Sequence, residues 1–298
     1  MTLETTDGKT WGMDNEYGAL KDVLLGRPDH YRWTDAGALT QRTFDNAERL
    51  GFRFDLQLAQ SQHAAMVGCY EEAGVACHYI RPDEHLHRNF FARDSSAMTP
   101  FGPIICHMQL KTRRADYVTA IEFYQSAGIP IWNMVSAGHF EGGDFNIIEP
   151  GAVVVGHCGE RSEEAGARQV AGWMEAEGWE ALVVPIPAHF IHMDALVVMI
   201  APKLAVACLD ALEDWVIDWF KARGISFVEV GYRECVQALG VNLVALGNER
   251  ILSMASSNDL NERLRALGFK VYDPDMSMFT LGGGGVHCLS QALHRDPA

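Results

Sequence analysis

The feature of this sequence that most restricts its fold is a recurring phrase: an amphipathic segment, a glycine, and then a short apolar run. Segments 56–73, 113–127, 162–177, 212–223 and 257–267 have helical patterning, and each meets a glycine at once, at Gly74, Gly128, Gly178, Gly224 and Gly268. Glycine there matches the left-handed residue that stops many helices. These glycines lie 54, 50, 46 and 44 residues apart, with no linker-like stretch between them. Runs of strand length fall at 20–26, 75–80, 102–108, 129–134, 145–148, 152–156, 181–186, 196–200, 204–208, 226–230, 242–246, 250–254 and 270–273. That is many strands for one open sheet. An α/β chain of any topology alternates in this way, but five units of one kind favour a closed ring over an open doubly wound sheet.

Composition narrows the function. With 24 Lys+Arg against 39 Asp+Glu the formal charge is −15, which argues against nucleic acid or an anionic membrane as partner. A small cationic substrate suits that field better. The seven cysteines, at 69, 77, 106, 158, 208, 235 and 288, form neither a disulfide framework nor a CxxC metal site, so most are expected to be reduced. The first residues are polar and acidic, and the longest apolar stretch, 195–201, is too short to cross a bilayer. A soluble, cytoplasmic protein is expected, with self-association into a homo-oligomer left open.

Four places carry residues able to do chemistry. Arg88-Asn89-Phe90-Phe91-Ala92-Arg93-Asp94 sets a carboxylate beside two aromatics, which suits a flat cation, although an ordinary Arg-Asp turn has the same residues. His139-Phe140-Glu141-Gly142-Gly143-Asp144 puts a glycine pair between two acids; with no Pro-Cys-x-x-Cys downstream, its His-x-Glu is not a zinc deaminase site. In His189-Phe190-Ile191-His192-Met193-Asp194, read as extended chain, His192 and Asp194 share one face, and the two histidines also have metal-ligand spacing. Four glycines at 282–285 precede Val286-His287-Cys288, without the Lys-Ser/Thr of a phosphate loop. A cysteine on such a loop is a nucleophile when a neighbour favours its thiolate, and otherwise a small buried hydrophobe. Together Asp94, Glu141, His192, Asp194 and Cys288 supply three acids, a base and a thiol. That set suits nucleophilic attack on a carbon bearing positive charge, of which a guanidinium is one.

The order and wording of these motifs resemble the guanidino-group modifying enzymes: arginine deiminases, dimethylarginine dimethylaminohydrolases and amidinotransferases. The resembling segments are Phe91-Ala92-Arg93-Asp94, Glu141-Gly142-Gly143-Asp144, Gly159-Glu160-Arg161-Ser162, His192-Met193-Asp194, Gly240-Val241-Asn242 and Gly284-Gly285-Val286-His287-Cys288-Leu289-Ser290. Glu16-Tyr17-Gly18 and Leu25-Gly26-Arg27 also look like the family's first strand. The resemblance implies an α/β fold of one catalytic domain over 1–298, a fivefold pseudosymmetric propeller with the site at its centre. It implies a hydrolase cleaving a guanidino C–N bond, with no metal and no organic cofactor. Cys288 would attack the guanidinium carbon and form an S-alkylthiouronium. His192 would serve as acid and then base, Glu141 would hold it, and Asp94 and Asp194 would grip the nitrogens.

Departures from the family pattern mark the far end of the substrate. Where arginine deiminases carry an arginine just before the cysteine, this chain has His287, which leaves Arg161 and Arg93 as candidates for a substrate carboxylate, with Phe91 against the cation. Asp194 stands where the dimethylarginine hydrolases lack an acid, which favours an unsubstituted NH2 group. An amidinotransferase, with an amine replacing water, would use the same residues, and a silent arginine-binding protein is disfavoured by the intact Cys288, His192 and Glu141. Three carboxylates near Cys288 would raise its pKa in the empty site.

Overall fold

A computed structural model describes residues 3–4, 10–33 and 38–298, the side chains of 3–4 and 38–42 excepted. It contains five three-stranded sheets of one connectivity. In each, a central strand pairs antiparallel with one neighbour and parallel with the other. The central strands are Leu20–Gly26, Gly102–Ile105, Ala152–His157, Leu204–Ala207 and Arg250–Leu252. Their parallel partners are Ala76–Ile80, Asn133–Met134, Glu180–Pro185, Ser226–Glu229 and Lys270–Tyr272. A parallel pair needs a crossover, and helices Leu56–Glu72, Asp116–Ser126, Glu164–Ala176, Asp214–Ala222 and Asn258–Ala266 supply it.

Each crossover helix ends on the glycine expected from the sequence. Gly74, Gly128, Gly178, Gly224 and Gly268 all have φ between 67° and 96°, a left-handed backbone that other residues adopt only at a cost. The chain then turns back as the parallel strand. Every run expected to be a strand contains one, though 129–134 shrinks to Asn133–Met134.

The antiparallel partners are Ser96–Thr99, Phe145–Glu149, Val197–Ala201, Val244–Gly247 and, for the first sheet, Ser290–Arg295 from the far end of the sequence. The start and end of the fold are thereby joined in one sheet. These strands and the short turns before them touch from sheet to sheet: Ser290–Arg295 against Ser96–Thr99, Ser96–Thr99 against Gly142–Asp144, Gly142–Asp144 against Met193–Ala195, Val197–Ala201 against Val244–Gly247, and Val244–Gly247 against Leu20–Gly26. The buried apolar side chains form two large clusters, one under the first three sheets and one centred on the fourth. No described helix is long and apolar enough to cross a membrane.

Candidate active site

Five short segments enter the five antiparallel strands, and each presents a different polar residue. Asp94 sits on the single turn Ala92–Ser95 ahead of Ser96–Thr99. Glu141 caps the turn Gly142–Asp144 ahead of Phe145–Glu149. His192 and Asp194 flank and enter the turn Met193–Ala195 ahead of Val197–Ala201. Asn242 precedes Val244–Gly247, and Cys288 precedes Ser290–Arg295. Asp94, His192, Asp194, Asn242 and Cys288 line one cavity, about 420 Å³ of empty space, and Glu141 lies directly behind His192. His192 and Asp194 reach it through a tight helical turn and not along an extended strand, because the Asp144 carboxylate accepts the Met193 N–H at 2.9 Å and holds the turn.

The glycines allow the close approach. A Cβ on Gly143 would lie 2.7 Å from His192 Nδ1, and one on Gly285 would lie 2.5 Å from Asn242 Oδ1. At such distances a side chain displaces its neighbour, so the loops at 142–143 and 282–285 have glycine where the site is tightest.

On one side of the cavity are His192 and Glu141. His192 Nε2 is 3.0 Å from Glu141 Oε2, which also accepts from Arg161 Nη1 at 3.1 Å and lies 3.7 Å from Arg113 Nη1. Burial would raise the Glu141 pKa, but Arg161, His192 and Arg113 together hold it well below the ordinary range. Burial would likewise neutralise His192; Asp94, the Glu141 hydrogen bond and Asp144 reverse this and push it up to about 9. At neutral pH His192 is an imidazolium, with Nε2 on Glu141 and Nδ1 at 3.8 Å from Asp94 Oδ1.

On the other side is the thiol. Asn242 Nδ2 donates to Cys288 Sγ at 3.1 Å, and Sγ lies 3.7 Å from Asp194 Oδ2. That oxygen is also 2.7 Å from His287 Nδ1. Burial, then Asp194, then Asp94 raise the Cys288 pKa well above that of a free thiol, in the direction expected from the sequence. Burial also acts against the Asp194 charge, but His287 and His192 lower its pKa.

Two carboxylate oxygens on the cavity are unusual. Asp94 Oδ2 accepts from Arg113 Nη1 at 2.6 Å, yet Asp94 Oδ1 is buried with no hydrogen-bond partner; Asp194 Oδ1 is in the same condition. Buried acceptors are costly when left open, so both are prepared for donors that a ligand brings. Asp94, Glu141 and His192 each offer a possible metal-ligating atom within 4.8 Å of one another, but the two carboxylates already hold the guanidinium groups of Arg113 and Arg161, and His192 is bonded to Glu141. His189 does not join His192: its Nε2 pairs with Tyr232 at 2.7 Å.

The remaining expected residues divide. Phe91 and Arg161 line the cavity. Arg93 does not; its guanidinium turns away to Glu16 at 2.9 Å and to the Phe145 carbonyl, so its place beside Asp94 in sequence is misleading. A helical turn sends neighbours to different faces, and the partner of Asp94 is Arg113. Arg113, Asn242 and His287 complete the site without having been given a role from the sequence. Asn242 lies in the Gly240-Val241-Asn242 motif and His287 stands out only as a departure beside Cys288; nothing in the sequence signals Arg113.

A family model described as N,N dimethylarginine dimethylhydrolase, eukaryotic, matches residues 32–295. Among curated proteins, an uncharacterized protein, YkgA, of Bacillus subtilis is 26% identical over 282 residues, 94% of either chain. An arginine deiminase of Rhodococcus erythropolis is 25% identical over 257 residues, covering 70% of this chain and 60% of its own. Among solved structures, DDAH from Pseudomonas aeruginosa, a cysteine-to-serine mutant complexed with citrulline, superposes with a TM-score of 0.76 at 20% identity, over 92% of this chain and 99% of that one. The N-terminal domain of ArgZ, an arginine dihydrolase from cyanobacteria bound to product, gives 0.79 at 18% identity over 93% and 98%.

Proposed function

Because the chain belongs to the N,N-dimethylarginine dimethylhydrolase family, and so to the guanidino-group modifying enzymes, we propose that it cleaves a guanidino C–N bond through Cys288 as covalent nucleophile. It is an enzyme, a hydrolase acting on C–N bonds in linear amidines. The substrate class is arginine, a methylated arginine or a related guanidino compound. The observation that carries this reading is the pair of open, buried oxygens, Asp94 Oδ1 and Asp194 Oδ1, on the cavity that Cys288 shares. A guanidinium supplies planar N–H donors and a positive charge to both.

The steps follow from the charges. In the empty site burial, then Asp194 and Asp94, keep Cys288 a thiol. A bound guanidinium offsets them, so the thiol loses its proton to solvent as substrate enters, and the thiolate attacks the central carbon. The tetrahedral adduct collapses as His192 Nδ1 donates its proton to the leaving nitrogen, releasing ammonia or an amine and leaving an S-alkylthiouronium. His192, now neutral, takes a proton from water as its oxygen adds to the same carbon. Breaking the C–S bond, with the adduct's hydroxyl proton passing to the departing sulfur, then frees the ureido product and returns the thiol of the empty site; His192, already reprotonated by the water, is ready for the next turn. Glu141 keeps His192 oriented in both steps and stabilises its charged form.

The five sheets are read as the blades of one fivefold propeller in a single domain over 1–298. The sheet-to-sheet contacts run from the first to the fifth and back to the first, which supports a ring with the site at its centre. Seven free cysteines suit a reducing, cytoplasmic setting.

The test is to incubate the protein with arginine, monomethyl- and dimethylarginine and guanidino acids, with and without glycine or ornithine. Ammonia, methylamines and ureido product are assayed, and acid-quenched protein is weighed by mass spectrometry. Ureido product without an added amine, with an adduct on the peptide containing Cys288, is expected. Product that forms only when an amine is added identifies an amidinotransferase, and thermal stabilisation by ligand without turnover identifies a binding protein.

A further inference from the structure

One buried cation on the same cavity has no task in the reaction above. Arg88 is 5% exposed and lines the cavity with Cys288, His192 and Asp194. Its Nη2 donates to the Gly282 carbonyl at 3.3 Å, and its guanidinium lies 4.9 Å from the centre of the Phe91 ring. Its Nε and Nη1 are buried with no hydrogen-bond partner. Arg113 and Arg161, which line the cavity too, are both paired with carboxylates; among the described residues no carboxylate pairs with Arg88.

A buried cation without an anion is strongly unfavourable, and its open N–H groups add to the cost. Burial, with Arg113 and Arg161 adding to it, lowers Arg88 to about 10 against the upward pull of Tyr31 and Asp94, so it stays charged at neutral pH. Asp94 and Asp194, the carboxylates among the described lining residues, already have open oxygens for a guanidinium. The same cavity therefore has acids prepared for one end of a ligand and a free arginine for the other.

We infer that Arg88 determines specificity by holding, through its unpartnered N–H groups, the carboxylate of an ω-guanidino acid. The inference rests on the guanidino-hydrolase reading and extends it to the tail of the substrate. An α-ammonium group on that tail would face Arg88, Arg113 and Arg161, and the described lining residues offer it no acid beyond the two on the guanidinium. The preferred substrate carries the carboxylate without the α-ammonium.

The test compares kcat/KM for guanidino acids from guanidinoacetate to 5-guanidinovalerate with arginine, agmatine and alkylguanidines of matched length. The best guanidino acid is expected to exceed its alkylguanidine by about 10- to 100-fold, the range of a charge-assisted hydrogen bond, and to exceed arginine and agmatine. Arg88→Met should remove that advantage, so that the ratio of guanidino-acid to alkylguanidine kcat/KM falls to about one, and Arg88→Lys should restore part of the ratio. Protection of Cys288 from iodoacetamide in the unsubstituted protein gives the same ranking without a variant that has to fold. If the alkylguanidine or agmatine comes within about threefold of the best acid, or arginine exceeds it, the assignment of Arg88 is overturned while the hydrolase reading stands. If no guanidino compound reacts or protects Cys288, the hydrolase reading itself fails, and this inference with it.

Discussion

The five modules are alike at one end and unlike at the other. Where each crossover helix stops, the residue is always glycine, always left-handed, and a Cβ added there meets nothing within 4 Å. Just before each antiparallel strand, the polar residue presented differs: Asp94, Glu141, His192, Asn242, Cys288. The outer position is fixed by backbone conformation alone, so one residue solves it five times. The inner position is fixed by neighbours from other modules, and its charges act on each other in opposite senses. Asp94 acts on both: with Glu141 and Asp144 it pushes His192 up to about 9, and behind burial and Asp194 it raises Cys288, because an anion favours an imidazolium and disfavours a thiolate.

Inner substitutions should therefore act on activity and outer ones on stability. The largest effect is expected from Cys288→Ser, which removes the nucleophile but changes a thiol to a hydroxyl of nearly equal size. Ureido product should fall to background with the melting midpoint unchanged; surviving turnover would sink the covalent mechanism. Next is Glu141→Gln, with a loss in kcat of about 10²- to 10⁴-fold, the usual worth of general acid–base catalysis. Removing that anion lowers the His192 pKa, so the alkaline limb of the pH–rate profile should move to lower pH. The His192 shift also has a stability sign: its pKa is raised on folding, so its contribution is complete below about 6.5 and is lost as pH rises through about 9. Denaturation at a series of pH values should show that loss in the parent and less of it in the Gln variant.

The same contrast explains what could be read in the sequence. Helix stops and apolar strands are local patterns, and they were legible. Ser96–Thr99 and Ser290–Arg295 were not, because each is short, rich in polar residues and set against the site, where its pattern answers to neighbours and not to a solvent-exposed face. The nucleophile, base and acids were legible through the motifs around them. Their partners were not: Arg113 meets Asp94 across 19 positions, and Arg93 meets Glu16 across 77, while Arg93 and Asp94 are adjacent and face apart. No periodicity carries that information.

A smaller effect is expected from Gly285→Ala. Its Cβ would press on Asn242 Oδ1 at 2.5 Å and on Met254, displacing the amide that donates to Cys288. Activity should drop at least about tenfold, with a stability loss of about 1–3 kcal/mol from overpacking. Asp194→Asn should lower the Cys288 pKa by removing an anion near Sγ. Iodoacetamide should then alkylate the free enzyme about tenfold faster at neutral pH, while kcat/KM falls because the guanidinium loses a partner. An unchanged alkylation rate would mean that burial and Asp94 hold the thiol without Asp194.

The smallest effect should come from the outer glycines, and it tests the contrast most directly. Gly128 has φ of 67° with open space around its missing Cβ. Gly128→Ala therefore meets no clash, and its cost comes from holding an L side chain in the left-handed region, about 1 kcal/mol. In a chain of this size that lowers the melting midpoint by about 2 °C. Turnover per folded molecule should not change, since the helix end is remote from the entries to the antiparallel strands. Gly178→Ala and Gly224→Ala, at φ of 82° and 72° and equally open, should cost the same. Unequal costs, or a loss of activity in any of the three, would mean that the helix stops are coupled to the site and that the modules are less alike at these ends than their backbones are.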